Sequence, residues 1–412
     1  MSLSSTKQLS NSARGVSGLE EIVRTSGWQK ILRCIQQRRP WLDEVHIQLT
    51  QIPAPTFHEA ARASFMAEQF RQLGLERVRT DPAGNILGER KGAANRLVCL
   101  TAHLDTVVAP GTPVQVKRNN GRWYAPGISD NGAGLAALLG AIAALQESGL
   151  QTELSLLFAA NVGEEGDGDL CGMKHLFSSK GMLQRTAGVL VVDGSAVEQI
   201  TTTGLGSRRF LVQVSGPGGH SWNDFGRVNP IHVLAFAIRH LSQVALPENP
   251  RTSFNIGMIQ GGTAVNCIPC SASMKVDIRS TSDEEMEKLS RDLETAVQRG
   301  VQTEMQRGSG TLSAQILPMG VRPSAELARE ARLLRVIQEV DQHLGIRNRL
   351  HCSSTDANLP LSLGIEAVAT GGGGSGGDAH TPQEWYDPRG RELGLKRIVL
   401  ALLLLAAVAE PC

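Results

Sequence analysis

Aromatic side chains are scarce in this chain, with five Trp, two Tyr and nine Phe among 412 residues. That leaves little material for a surface that stacks nucleic-acid bases. Neither sign of charge dominates: 41 Lys and Arg face 40 Asp and Glu, so no net field steers the chain to nucleic acid or to an anionic membrane. Long hydrophobic runs are missing too. The strongest, from Ile398 to Ala409, is short of the roughly 20 residues that span a bilayer and is predicted to be a buried core helix. The first residues are polar and Ser-rich, without the basic then apolar order of a signal peptide, and read as a flexible tail over 1–18. Cysteine is odd in number at seven and scattered; with no disulfide framework, a reducing, cytoplasmic location is expected. The CxxC spacing of Cys267 and Cys270 has no second pair and no neighbouring His. It reads as two small apolar side chains at a strand start rather than a zinc knuckle.

What is present points to more than one core, because a chain of this length exceeds an ordinary domain of ~100–200 residues. Apolar positions near a 3.6 period predict helices between Leu19 and Leu75. Short continuous apolar runs follow, one ending at His103, one before Glu164 and one at Asp193, with a small-residue helix from Gly132 to Leu145 between the first two. Unbroken apolar strands separated by helices predict an α/β domain with a buried, largely parallel sheet. In such sheets ligands sit beyond the carboxyl ends of the strands.

After Gly204 the pattern changes to strand, helix, two strands, a charged helix over Ser282 to Gln306 and a last strand to Pro318. That βαββαβ order is ferredoxin-like. A helix at Ala325–Leu344 and a strand at Ile365–Thr370 then return to α/β character, so the second domain is predicted as an insertion: 1–206 and 319–412 form one domain and 207–318 the other. The glycine run Gly371 to Gly377 lies between a predicted strand and His380, and reads as a loop wrapping a site rather than a linker.

Several residues can carry chemistry. His103 and Asp105 point to one face of an extended segment, and a metal-bound imidazole usually hands its other N–H to a carboxylate. Asp130 stands just before a helix, where by itself it reads as an N-cap. Glu164 and Glu165 are adjacent carboxylates after an apolar strand and repel unless a cation is near; one can bind metal while the other acts as general base. Asp193 follows an apolar strand and His380 the glycine run. Two His and three carboxylates suit zinc, manganese or cobalt, and five ligands exceed what one catalytic zinc takes. A bridging Asp130 resolves the count with two ions about 3.5–4 Å apart.

These motifs in this order resemble the M20 metallopeptidases of the peptidase T and carboxypeptidase G2 type. The resemblance runs from Ile52-Pro-Ala-Pro-Thr-Phe to the C-terminal helix. It implies a di-metal exopeptidase-type catalytic domain with an inserted lid and dimerisation domain, hence a homodimer. By it, His103 and Asp193 are terminal ligands of one ion, Glu165 and His380 of the other, and Asp130 is the bridge. Glu164 is then the general base and Asp105 orients His103. In the insertion, Gly218-Gly-His220-Ser resembles the family's lid histidine, which reaches a substrate carbonyl, often in the partner subunit. Gly261-Gly-Thr-Ala-Val-Asn266 resembles a substrate loop, and Asp277-Ile-Arg279 the strand whose arginine holds a carboxylate. Ser354-Thr-Asp356-Ala-Asn358 resembles a further loop near substrate. Asp at 193 is similar to the peptidase T group, while Asn131 departs from its double-Asp form. The expected activity is a tripeptide aminopeptidase-like exopeptidase using two divalent ions, most simply zinc. The alternatives are an N-acyl amino acid deacylase, and a non-catalytic binding protein, whose missing general base or ligand is not observed here.

Overall fold

The computed structural model describes residues 14–407, with side chains from residue 18. The expected tail therefore lies outside the described residues over 1–13 and is helical from Arg14, where the helix Arg14–Arg24 begins. The chain divides into two compact units, Thr203–Glu326 and the remainder on either side of it. No helix among the described residues is long and apolar enough to cross a membrane.

The larger unit is built on a mixed sheet. Its centre is four parallel strands in the order Leu154–Asn161, Ala94–His103, Thr186–Val192 and Ala367–Thr370. Antiparallel strands extend both sides: Ile86–Arg90 and Glu76–Thr80 on one, and on the other Gln199–Gly204, whose last two residues, already in the Thr203–Glu326 unit, pair with Ala325–Glu326. The Ala94–His103 strand is buried without interruption from Leu97 to its end, as a parallel strand covered on both faces must be. The helix Gly132–Ser148 is buried on nearly every side, which its all-round apolar sequence requires. The helix Arg391–Ala406 packs against it and holds the apolar run expected in the core as far as Ala406, the last two residues of that run lying outside the described residues.

One helix is shorter than its sequence pattern. Ala325 to Leu344 was expected to be helical throughout, but Ala325–Glu326 pairs with Gly204 and Thr203, and the helix starts only at Arg332. Ladder pairing at the sheet edge overrides local propensity there. The later start is capped from a distance: the amides of Arg332 and Leu333 donate to the Glu366 carboxylate at 3.1 and 2.8 Å.

The smaller unit is an antiparallel sheet in the order Thr252–Gly261, Ser271–Ser280, Gly206–Ser215, Ser313–Arg322. The helices Pro230–Leu241 and Asp283–Arg307 pack on it. Ala272, Met274, Val276 and Ile278 alternate with less buried neighbours and form the inner face. Strand and helix order and sheet order are those of a ferredoxin-like unit. Cys267 opens a short strand and Cys270 directly precedes the Ser271–Ser280 strand, the strand-start positions expected, and both are exposed.

Candidate metal centre

The four parallel strands end together, and the groups with chemistry follow those ends. His103 closes its strand, Glu164 and Glu165 come after Asn161, Asp193 comes after Val192, and the glycine run comes after Thr370. That run is pinned rather than free: the amides of Gly371, Gly372 and Gly373 donate to the carbonyls of Ala196, Gly194 and Ser195 at 3.2, 2.9 and 3.1 Å. Beyond it Asp378 and His380 both take positive φ, 58° and 64°, strain that a non-glycine residue tolerates where surrounding structure holds it.

Asp130 is the centre of the cluster. Its Oδ1 lies 3.1 Å from His103 Nε2 and its Oδ2 3.1 Å from His380 Nε2. Asp193 Oδ1 stands 3.7 Å from His103 Nε2, and Glu165 Oε1 2.9 Å from His380 Nε2. Two triads able to hold an ion therefore share Asp130: His103, Asp130 and Asp193, and Asp130, Glu165 and His380. A third grouping joins His103 with Glu164 and Glu165. Asp130 does not cap the following helix, as it would read in isolation. Asn131 does so, accepting from the Gly134 amide at 3.1 Å, which leaves both Asp130 oxygens for the two histidines.

Asp105 is fully buried behind His103. It accepts from the Glu164 and Glu165 amides at 3.0 and 2.8 Å and from the Thr56 hydroxyl at 2.9 Å. Its Oδ1 is 3.5 Å from His103 Nδ1, while its own carbonyl lies 3.1 Å from the same nitrogen. The Asp105 carboxylate thus fixes the backbone of both adjacent glutamates, while its carbonyl bonds the His103 ring.

The electrostatics fit a cation. Hydrogen bonds to Asp130 and Glu165 raise His380 to about 11. Burial opposes charge on His103, yet the carboxylates of Asp105, Asp130 and Asp193 outweigh it and raise that imidazole too. Surrounding carboxylates hold protons on both histidines, at the positions where cations would release them. The donor set, imidazole and carboxylate, matches zinc, manganese or cobalt.

The profile of peptidase family M20/M25/M40 matches residues 99–405, three quarters of the chain. The chain belongs to this family. It is therefore a hydrolase of the M20 metallopeptidases and amidohydrolases. This M20 chain is 27% identical to the uncharacterised protein YqjE of Bacillus subtilis (strain 168), over 79% of its own length and 88% of that protein's. It is 25% identical to carboxypeptidase G2 of Pseudomonas sp. (strain RS-16), over 58% and 59% respectively. Its fold is that of a tripeptidase from Staphylococcus aureus, with a TM-score of 0.73 and 22% identity, covering 89% of this chain and 98% of that one.

Not every residue singled out in the M20 chain's sequence falls into this cluster. In the smaller unit, His220 pairs with Cys267 in a short ladder, and the Ser221 amide donates to the Asn266 carbonyl at 3.0 Å, so His220 and Asn266 lie together. His220 Nδ1 accepts from the amides of Trp222 and Asn223, which leaves Nε2 to carry the proton of a neutral ring. Arg279 lies elsewhere. Gly219 and His220 pair with Ile268 and Cys267, just before the Ser271–Ser280 strand begins, whereas Arg279 is near its far end, seven residues or roughly 23 Å beyond Ala272 at about 3.3 Å per residue, and its Nε donates to Asp277 at 2.7 Å. One small molecule does not reach both ends of that strand.

Other residues were missed. Glu384 accepts from the amides of Gly127, Ser129 and Asp130 at 2.6, 2.7 and 2.8 Å, and burial pushes its carboxyl up to about 7. His46 is fully buried and bonds the Ile128 carbonyl at 2.6 Å. Asp356 was not missed: it stands in the loop read as lying near substrate, is fully buried and accepts from Asn161 at 2.7 Å. Glu384 carried a faint signal, four residues beyond His380; His46 carried none, since a His inside an amphipathic helix reads as an ordinary core residue.

Proposed function

We propose that this chain is a two-metal exopeptidase acting on short peptides, of the peptidase T kind. The observation that carries the reading is the split of the Asp130 carboxylate, one oxygen toward His103 and the other toward His380. His103, Asp193 and Asp130 would hold one ion, and His380, Glu165 and Asp130 the other. When bound, such a pair polarises an amide carbonyl and acidifies water.

The chain's own groups do the rest. Glu164 takes a proton from the water that adds to the amide carbon and returns it to the departing amine nitrogen. Asp105 holds His103 in one orientation and the Glu164 backbone in place. His220 donates from Nε2 to the substrate carbonyl as negative charge develops on it. Arg279 meets a substrate carboxylate. The separation of His220 from Arg279 within one chain supports a homodimer through the Thr203–Glu326 unit, each copy supplying one of the two to a given substrate. Asp at 193, and the likeness to a tripeptidase, favour peptides over N-acyl amino acids. The free cysteines among the described residues support a reducing, cytoplasmic setting.

Steady-state kinetics on tripeptides, dipeptides and N-acetyl amino acids, with added zinc, manganese or cobalt, tests the reading. Release of one terminal residue from tripeptides is expected. Turnover of N-acetyl amino acids with tripeptides left intact would replace peptidase by deacylase. Glu164→Gln should keep its metal and lose about 10²–10⁴-fold in kcat; full activity in that variant removes Glu164 from the mechanism.

A further inference from the structure

The loop that carries Asp130 is held through its backbone by His46 and Glu384. Arg391 begins the helix Arg391–Ala406 and is buried. Its Nη1 donates to Asp43 Oδ1 and its Nη2 to His46 Nδ1, each at 2.6 Å. A guanidinium offers donors only, so His46 Nδ1 accepts. The neutral ring then carries its proton on Nε2 and donates it to the Ile128 carbonyl at 2.6 Å. Burial, and then the charge of Arg391, keep that ring neutral. Trp123 and Tyr386 enclose the pair: their ring centroids lie 5.7 and 5.3 Å from the guanidinium carbon and 5.3 and 4.7 Å from the imidazole centroid. Glu384 gathers the amides of Gly127, Ser129 and Asp130 on the same loop.

The requirement on Asp130 is strict. Each of its oxygens must reach a different histidine at 3.1 Å, and a small turn of its backbone spoils both contacts together. We propose that His46 and Glu384 are positioning residues that preset Asp130 between the two ion positions, with Asp43 and Arg391 fixing the His46 tautomer. The inference rests on the metal-centre reading above. It concerns how the bridge is held, before any substrate arrives. Groups that hold a metal ligand in place in this way typically set about 10–100-fold of metal affinity.

The test is zinc binding by the full-length protein, measured by competition with a chromophoric chelator, alongside the thermal midpoint of the metal-free form. His46→Ala and Glu384→Gln should each bind zinc about 10–100-fold more weakly. His46→Gln should recover most of the loss, because a carboxamide offers both the acceptor for Arg391 and the donor for Ile128. A merely structural role would lower the metal-free midpoint and leave the affinity of the folded protein unchanged, with no recovery specific to Gln. Two zinc ions bound with wild-type affinity in Glu384→Gln and His46→Ala overturn the proposal, as does a loss in His46→Ala that His46→Gln fails to repair. A wild-type protein that binds no zinc overturns the metal-centre reading itself, an outcome visible before any variant is compared.

Discussion

Asp105 and Asp356 are both fully buried carboxylates near His103, yet their surroundings differ. Asp105 accepts two backbone amides and a hydroxyl and faces an imidazole. Burial alone would raise it, but His103 and those amides bring it below the ordinary carboxylate range. Asp356 has one side-chain donor, Asn161, and its Oδ1 has no partner; burial raises it to about 7. The sign of the stability effect follows. A carboxyl whose folded value exceeds its unfolded value of about 3.9 favours the folded state below the lower value and loses that contribution as pH rises through the upper one. The metal-free protein should therefore lose stability between about pH 4 and 7 through this group, by roughly 1.4 kcal/mol per pH unit at most. Asp356→Asn should flatten that part of the profile in thermal melts recorded from pH 4 to 8. An unchanged slope would mean that Asp356 is ionised throughout.

Elements rather than residues explain why the glycine run is not a linker. Gly394, on the helix Arg391–Ala406, faces it so closely that an added Cβ would sit 2.5 Å from the Gly372 carbonyl oxygen and 2.6 Å from Gly373 Cα. Backbone meets backbone there, and neither side can yield by turning a side chain. Gly394→Ala is expected to cost about 1–3 kcal/mol and to weaken zinc binding, since the displaced run leads to His380. Thermal melts and chelator competition on this variant check both; a neutral result would show that the helix can shift without disturbing the loop. The strands ending at His103, Asn161 and Val192 were legible in sequence because parallel strands covered on both faces are unbroken apolar runs. The short pairing of Ala325 and Glu326 was not, because two residues at a sheet edge carry no period.

For the whole molecule, the candidate ligands come from both ends of the chain but from one compact unit, the described residues up to Thr202 and from Leu327. Ion binding should stabilise that unit specifically. Zinc at 100 times its Kd adds about 2.7 kcal/mol per site, and excess chelator should lower the corresponding calorimetric transition while abolishing hydrolysis. A melt that ignores the chelator would place the ions elsewhere. The Thr203–Glu326 unit has its own core of Val, Leu and Met side chains and holds none of the three candidate triads. The sequence by itself determined the reaction class: donor types, their order and their places after apolar runs are local properties, and they led to the M20 family. Tertiary structure alone decided which oxygen of Asp130 meets which histidine, that Asn131 and not Asp130 caps the helix, and that His46, Arg391 and Glu384 grip the same loop. Those contacts join residues more than 80 positions apart for His46 and about 250 apart for Glu384. They depend on chain folding that no local period encodes.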